Sequence, residues 1–374
     1  PWKSIPIYRQ VDIWSLDWTM KVACTTSILR EQRKTIRRPH YDVRACDSLI
    51  RIYYGADDIV SRRCNLIAIT AAFLIASLLC ANPSTAQEQS EQARLASHSL
   101  LLDITRANTR LITVGERGHV LISDDNGQSW KQILVPTRSQ LTAVFFLDGN
   151  HGWAVGHNAV ILSTIDGGET WSHQHHDKQY DDPLLDVWFK DRNNGFAIGA
   201  YGLFLSTNDG GKSWDRRQIS DDDFHLNAIT SLNHDVLIIA AEQGHLYRSI
   251  DSGYSWSELR SPYTGSFFGI TAIDEASLLV YGLRGNLYHS TDKGESWQKI
   301  ETETEASLMD ATVLKNGSIY IVGLGGNILI SSDHGKTFVL KTRKDRKTLT
   351  AISETVSGQL IMSGSAGITI GPGD

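Results

Sequence analysis

The sequence predicts an all-β fold, a seven-bladed β-propeller with four-stranded antiparallel blades. Three observations predict it. An eight-residue motif recurs at a nearly constant step. A glycine-bounded turn recurs between its copies, once more often than the motif itself. Short runs of β-branched and aromatic residues separate these turns. A period near 40 residues marks a repeat architecture, and four short strands per period is the grammar of a propeller blade.

The motif is Ser/Thr-x-Asp-x-Gly-x-x-Trp/Phe. Its copies start at Ser123, Thr164, Thr207, Ser249, Ser290 and Ser331. The aspartates are Asp125, Asp166, Asp209, Asp251, Asp292 and Asp333. The aromatic residues are Trp130, Trp171, Trp214, Trp256, Trp297 and Phe338. From one Asp to the next the steps are 41, 43, 42, 41 and 41 residues.

The second repeat shows the grammar most clearly. Residues 141–146 (LTAVFF) form a β-rich run, and Asp148-Gly-Asn150 is a turn signal. Gly152–Val155 is a second strand, Gly156-His-Asn-Ala159 a tight turn, and Val160–Leu162 a third strand. The Asp-box turn follows, and Trp171 opens a fourth strand. The turn between strands two and three recurs at 115–118, 156–159, 199–202, 241–244, 282–285, 323–326 and 364–367. Its glycines suit a turn that needs positive φ.

The seventh copy of that turn is followed by Ile368-Thr-Ile370 and then Gly-Pro-Gly-Asp374, with no Asp box. A ring that does not close leaves an exposed strand edge. The expectation is therefore an N-terminal strand, residues Ala93 to Ser99, that supplies the outer strand of the last blade and closes the ring.

The Asp-box carboxylate suits an Asx-type turn, with the Ser or Thr hydroxyl as a second local partner. Glycine gives the permissive backbone. The aromatic residue buries apolar surface between strands, and loss of a buried Trp costs ~3–5 kcal/mol. Six equivalent aspartates on six blades do not converge on one point. They are read as structural, and no residue is assigned as catalytic.

Composition narrows the function classes. The net charge of −6 carries no basic excess, which argues against a nucleic-acid partner. All four cysteines, Cys24, Cys46, Cys64 and Cys80, precede the repeats. The repeats therefore hold no disulfide framework and no cysteine metal site. His173-Gln-His175-His176-Asp177 offers ligand-like side chains, with His173 and His175 on one side of a strand, but no further ligands accompany it. No metal and no cofactor is expected. No phosphate loop or nucleophile elbow occurs.

Residues 1–59 form an Arg-rich leader without a period, read as disordered or as an over-extended start. Residues 60–86 read as a secretory signal peptide. Arg62-Arg63 precede the apolar run Leu66 to Ala81, and Ser84 and Ala86 fit a cut after Ala86. The run is short for a membrane span of ~20 residues. Leu78 and Leu79 before Cys80 argue against lipid attachment there. Residues 87–374 are assigned to the propeller.

The Ser/Thr-x-Asp-x-Gly-x-x-Trp motif resembles the Asp box of the bacterial neuraminidase repeat. A closer likeness is to the photosystem II stability and assembly factor family. It rests on Gly115-Glu-Arg-Gly118-His-Val-Leu-Ile-Ser123 with Asp125, Gly127 and Trp130, on Leu141-Thr-Ala-Val144, and on His151-Gly-Trp-Ala-Val-Gly156. The resemblance implies an exported, non-catalytic propeller that binds a membrane-protein subunit through an arginine-rich surface and aids its assembly. The arginines here are scattered: Arg117, Arg138, Arg284, Arg343 and Arg346. The alternatives are a sialidase-like glycoside hydrolase and a carbohydrate-binding propeller without turnover. An Arg-Ile-Pro segment of the kind sialidases carry on the first strand is missing.

Strands alternate direction within a blade, so loops fall on two faces. The Asp boxes occupy one. The other carries the turns between strands two and three, and with them the candidate binding residues Glu116, Arg117, His157, Asn158, Tyr201, Glu242, Gln243 and Arg284. Arg117 and Arg284 are a candidate pair for gripping a peptide carboxylate. The connections add acidic runs at Asp221–Asp223 and Glu301–Glu305 and a basic run at Lys341–Lys347. The expectation is a periplasmic monomer (in the thylakoid lumen of a phototroph) that docks a membrane protein or a membrane-complex subunit.

Overall fold

The structure, a computed structural model, describes residues 89–175, 182–233 and 235–371. The leader and signal-peptide assignments lie outside the described residues. The chain forms a ring of seven antiparallel sheets. Among the described residues, six have four strands and the last has three. In blade 1 the strands are Leu101–Ala107, Arg110–Gly115, Val120–Ser123 and Lys131–Ile133, paired in chain order. The inner strands of the other blades are Leu141–Phe146, Leu184–Phe189, Leu226–Ser231, Phe267–Ala272, Leu308–Val313 and Leu349–Glu354.

The core is a set of seams between blades. Ile112, Val120 and Ile133 of blade 1 pack against Leu141, Ala154 and Trp171 of blade 2. The same arrangement runs round the ring. Each Asp-box aromatic sits in the seam with the preceding blade. Trp256 of blade 4 meets Phe204 and Phe196 of blade 3 edge-on, with ring centroids 5.7 and 6.5 Å apart. The aromatic residue therefore joins blades as well as strands.

Every inner strand carries a β-bulge after its first residue. A bulge re-aims one side chain. In three blades the re-aimed residue donates to the first inner-strand carbonyl of the next blade. These bonds are Thr142 Oγ1 to Leu184 O at 2.6 Å, Asn227 Nδ2 to Phe267 O at 2.7 Å, and Thr350 Oγ1 to Leu101 O at 2.6 Å. Carboxylates reach across other seams. Asp103, Asp186 and Asp310 accept from the backbone N–H groups of Val144, Ile229 and Ile352.

The bulge also explains the first glycine of each recurring turn. Gly115, Gly156, Gly199 and Gly323 are extended, with φ between −165° and −178°. Positive φ is not what selects them. A Cβ on Gly156 would lie 2.0 Å from the Gln140 carbonyl oxygen, so close backbone approach excludes a side chain. The positive φ falls on the third and fourth residues of the turn instead.

Ring closure differs from the sequence expectation. Residues 93–99 are not a strand, and the last blade has no fourth strand among the described residues. Residues 90–93 run beside the outer strand of blade 1. Ser90 N–H donates to Val135 O at 2.9 Å, and Ala93 N–H donates to the Gln132 side chain at 2.8 Å. A single 3-10 turn, Ala96–His98, then brings Ser97 O within 3.0 Å of the Ile368 N–H of blade 7. The segment bridges the first and last blades as a strap. Gly367 lies under it at φ +82°, where a Cβ would be 2.0 Å from Ser97 O. The closing seam is built on Ile104, Leu111, Ala351 and Ile361 and on Ala96, Leu101 and Leu121, with Trp130 and Ile368 packed against both groups.

Candidate functional site

The Asp boxes are turns with a fixed hydrogen-bond pattern. Ser123 Oγ donates to Asp125 Oδ1 at 2.8 Å and accepts from Gly127 N–H at 2.9 Å. Asp125 Oδ1 also accepts from Ser129 N–H at 2.9 Å, and Oδ2 accepts from Ser129 Oγ at 2.5 Å. The other five boxes repeat it, with Thr170, Ser213, Ser255, Ser296 and Thr337 in the place of Ser129. The residue before the aromatic is thus part of the motif. A Ser or Thr stands there in all six copies, a signal that the reading x-x passed over.

These bonds stabilise the ionised carboxylates. Hydrogen bonds from the side chain and then the backbone of Ser129 hold Asp125 down to about 2. Asp209 and Asp251 are lowered to about 2 by Ser213 and Ser255 in the same way. For Asp166 and Asp292, burial pushes upward, but the bonds from Thr170 and Ser296 outweigh it. All six aspartates are absorbed by their own turns.

The opposite face has a different character. In five blades the third residue of the recurring turn is a non-glycine held in the left-handed region. These are Arg117, Asn158, Tyr201, Gln243 and Arg284, with φ between 54° and 60°. Glycine, Gly325, fills that place in blade 6. Left-handed backbone costs an L residue ~1–2 kcal/mol. The ring of turns therefore projects five side chains from strained positions, one per blade.

Their surroundings separate them. Asn158 Nδ2 donates to Ser139 Oγ at 2.9 Å. Tyr201 packs edge-on against His225 with ring centroids 4.9 Å apart. Glu242 accepts from the His225 N–H at 3.4 Å, and Glu116 accepts from the Leu100 N–H at 3.3 Å. His157 lies 3.5 Å from the Gln140 side chain. Burial pushes His157 below the usual histidine range, and it does the same to His225 despite Glu242 nearby. Burial thus disfavours the charged form of these two histidines.

Arg117 and Arg284 are exposed and carry no carboxylate partner among the described residues. They stand on blades 1 and 5, with blades 6 and 7 between them on the shorter way round. The paired grip on one carboxylate is thus not formed by neighbouring turns. Arg346, exposed at φ 51° on the connection from blade 6 to blade 7, adds a third free guanidinium to this arc. Of the other scattered arginines, Arg138 pairs with Glu91 at 2.8 Å and Arg343 with Asp345 at 2.7 Å. Glu301, Glu303 and Glu305 interrupt the arc on the connection from blade 5 to blade 6.

The histidine cluster does not survive as a ligand set. His173 pairs with Leu162 and His175 with Ile161, with a bulge at Gln174 between them. Neighbouring residues of a strand face opposite ways, so the bulge puts the two imidazoles on opposite faces. His176 and Asp177 lie outside the described residues.

An Asp-box ring with polar turns projecting from the opposite face defines the class: a seven-bladed propeller of the neuraminidase-repeat type. The chain belongs to the family described as Photosynthesis system II assembly factor YCF48, which it matches over residues 122–184 and 177–312, just over half of its length. A curated relative is the Photosystem II stability/assembly factor HCF136, chloroplastic, of Cyanidioschyzon merolae. It is 51% identical over 47 residues, 12% of this chain and 11% of the relative. The aligned stretch thus spans about a tenth of that relative's length. The solved structure of YCF48 bound to D1 peptide matches with a TM-score of 0.61 at 19% identity, covering 78% of this chain and 96% of that one. Streptogramin B lyase matches with a TM-score of 0.64 at 15% identity, covering 77% and 100%. At these identities both likenesses establish the fold.

Proposed function

We propose that this protein is a non-catalytic, exported scaffold that binds an extended segment of a membrane-protein subunit and aids its assembly. The observation that carries the reading is the set of five strained turn residues, Arg117, Asn158, Tyr201, Gln243 and Arg284. Strain retained where glycine would relieve it argues for use of the side chains. Family membership supports the same reading, as does the D1 peptide held by a structural relative. The peptide would cross the channel mouth, its acidic groups towards Arg117, Arg284 and Arg346 and its basic groups towards Glu242. The site of action would be the periplasm, or the thylakoid lumen in a phototroph, after cleavage near Ala86. The protein would act as a monomer.

Pull-down from envelope membranes tests it, with wild type beside an Arg117→Glu/Arg284→Glu variant. The reading expects a membrane protein recovered with wild type and reduced at least tenfold with the variant. Equal recovery would contradict the assigned face. Turnover of a fluorogenic sialoside would contradict the non-catalytic part.

A further inference from the structure

The Asp-box face holds one feature that the scaffold role does not use. Adjacent blades are latched there by a side chain reaching the next Asp-box loop. Arg110 donates to Gly167 O at 3.0 Å, Gln174 to Gly210 O at 2.9 Å, Arg217 to Gly253 O at 3.0 Å, and Arg248 to Lys293 O at 3.2 Å. At two of these latches the loop answers with a carboxylate. Glu169 pairs with Arg110 at 2.8 Å, and Glu295 pairs with Arg248 at 2.7 Å.

Between blades 3 and 4 the residue at that place is Tyr254. Arg217 is turned instead onto two carbonyls, Gly253 O and Tyr254 O, the latter at 2.6 Å. Tyr254 offers Arg217 no carboxylate, and a cleft of about 250 Å³, lined by Asp191 and Asp215 among others, opens beside it. Tyr254 is 79% exposed.

The cleft's chemistry is specific. Its two cations are already engaged: Arg217 by the carbonyls, Lys190 by Ser252 Oγ at 2.7 Å and Asp235 at 3.2 Å. The side chains of Asn208, Asp215 and Tyr254 line it, and their polar atoms have no hydrogen-bond partner among the described residues. Asn194 spends its amide N–H on Asp191, which leaves its carbonyl oxygen open. An exposed aromatic ring beside planar amides and a carboxylate suits a ligand with an apolar face and many hydroxyls. A free anion finds no uncommitted cation. The volume falls below the ~300 Å³ where pockets for drug-sized ligands begin, so one or two ring units fit rather than a long chain.

We infer that the cleft between blades 3 and 4 is a binding site for a neutral saccharide unit, with Tyr254 as stacking platform and Asn208 and Asp215 as hydroxyl partners. The site is on the face opposite the proposed protein-docking turns, so the two can be occupied together.

The test is an array of neutral and acidic mono- to trisaccharides, followed by titration of the retained sugars. Wild type is expected to retain neutral sugars. Tyr254→Ala and Asn208→Ala should each weaken binding at least tenfold, while Arg284→Glu on the other face leaves it unchanged. Tyr254 and Asn208 are exposed, so unchanged thermal unfolding of both variants separates lost contacts from lost fold. Retention of acidic sugars alone would overturn the inference. So would no retention at all, or binding indifferent to both substitutions.

Discussion

Thr350→Val removes the bond by which the last blade holds the first. The Thr350 hydroxyl is buried and donates to Leu101 O at 2.6 Å. Valine keeps the branched shape and deletes the donor, leaving a buried carbonyl short of a partner. Such a loss costs ~1–3 kcal/mol. A domain of 150–250 residues shifts by ~2–4 °C per kcal/mol, which sets a fall of ~2–10 °C in Tm for this somewhat larger ring. The same change at Thr142, which holds Leu184 O inside the ring, is the comparison. The closing seam has no outer strand on blade 7 among the described residues, so Thr350→Val should cost at least as much as Thr142→Val. Thr350→Ser should recover most of the loss. Calorimetric unfolding of the four proteins reads this directly. If Thr350→Val melts with wild type while Thr142→Val falls, the closure argument is wrong.

Three further outcomes are expected. Asp125, Asp209 and Asp251 are held near 2, below an unfolded value of ~3.9. Their stabilisation is therefore complete above about pH 4 and lost as pH falls towards 2; Tm measured from pH 5 to pH 2 should drop, and drop less steeply when Ser129, Ser213 and Ser255 are changed to Ala. Gly156→Ala places a Cβ against the Gln140 carbonyl and should destabilise by about 1–3 kcal/mol or more, whereas Ala241, at φ −134° in the matching place of blade 4, already carries a Cβ; equal stability of Gly156→Ala and wild type would refute the close-approach argument. Arg284→Gly should raise stability by up to about 1 kcal/mol while weakening partner recovery, because glycine relieves φ 56° and removes the guanidinium; a fall in Tm would contradict the strain assigned to that turn.

The blades were legible because each one repeats a local rule. Ser-x-Asp-x-Gly places a hydroxyl, a carboxylate and a permissive backbone within one turn, and the bonds of Asp125 are all made within four residues. The contacts between blades were not legible. Thr350 meets Leu101 across 249 residues, and no local pattern marks either. The strap at residues 90–99 was placed at the right junction but given the wrong form, since a polar segment that follows the edge of blade 1 can bridge without pairing as a strand. On the candidate face the turn residues could be read off, but not their backbone strain, because four different residue types share the left-handed place in five blades. The Asp-box face had been set aside as structural. The residue after the box glycine varies (Gln128, Glu169, Lys212, Tyr254, Glu295, Lys336), and Tyr254 is the one aromatic among them, at the junction where the cleft lies.

The central claim is that a partner lies across the turns between strands two and three. Photocrosslinking from single positions in envelope membranes tests it most directly. A photoreactive residue at Asn158, Gln243 or Arg284 should capture the same membrane protein, and one at Lys212 or Lys293 in the Asp-box loops should not. Capture from the Asp-box positions alone would contradict the account.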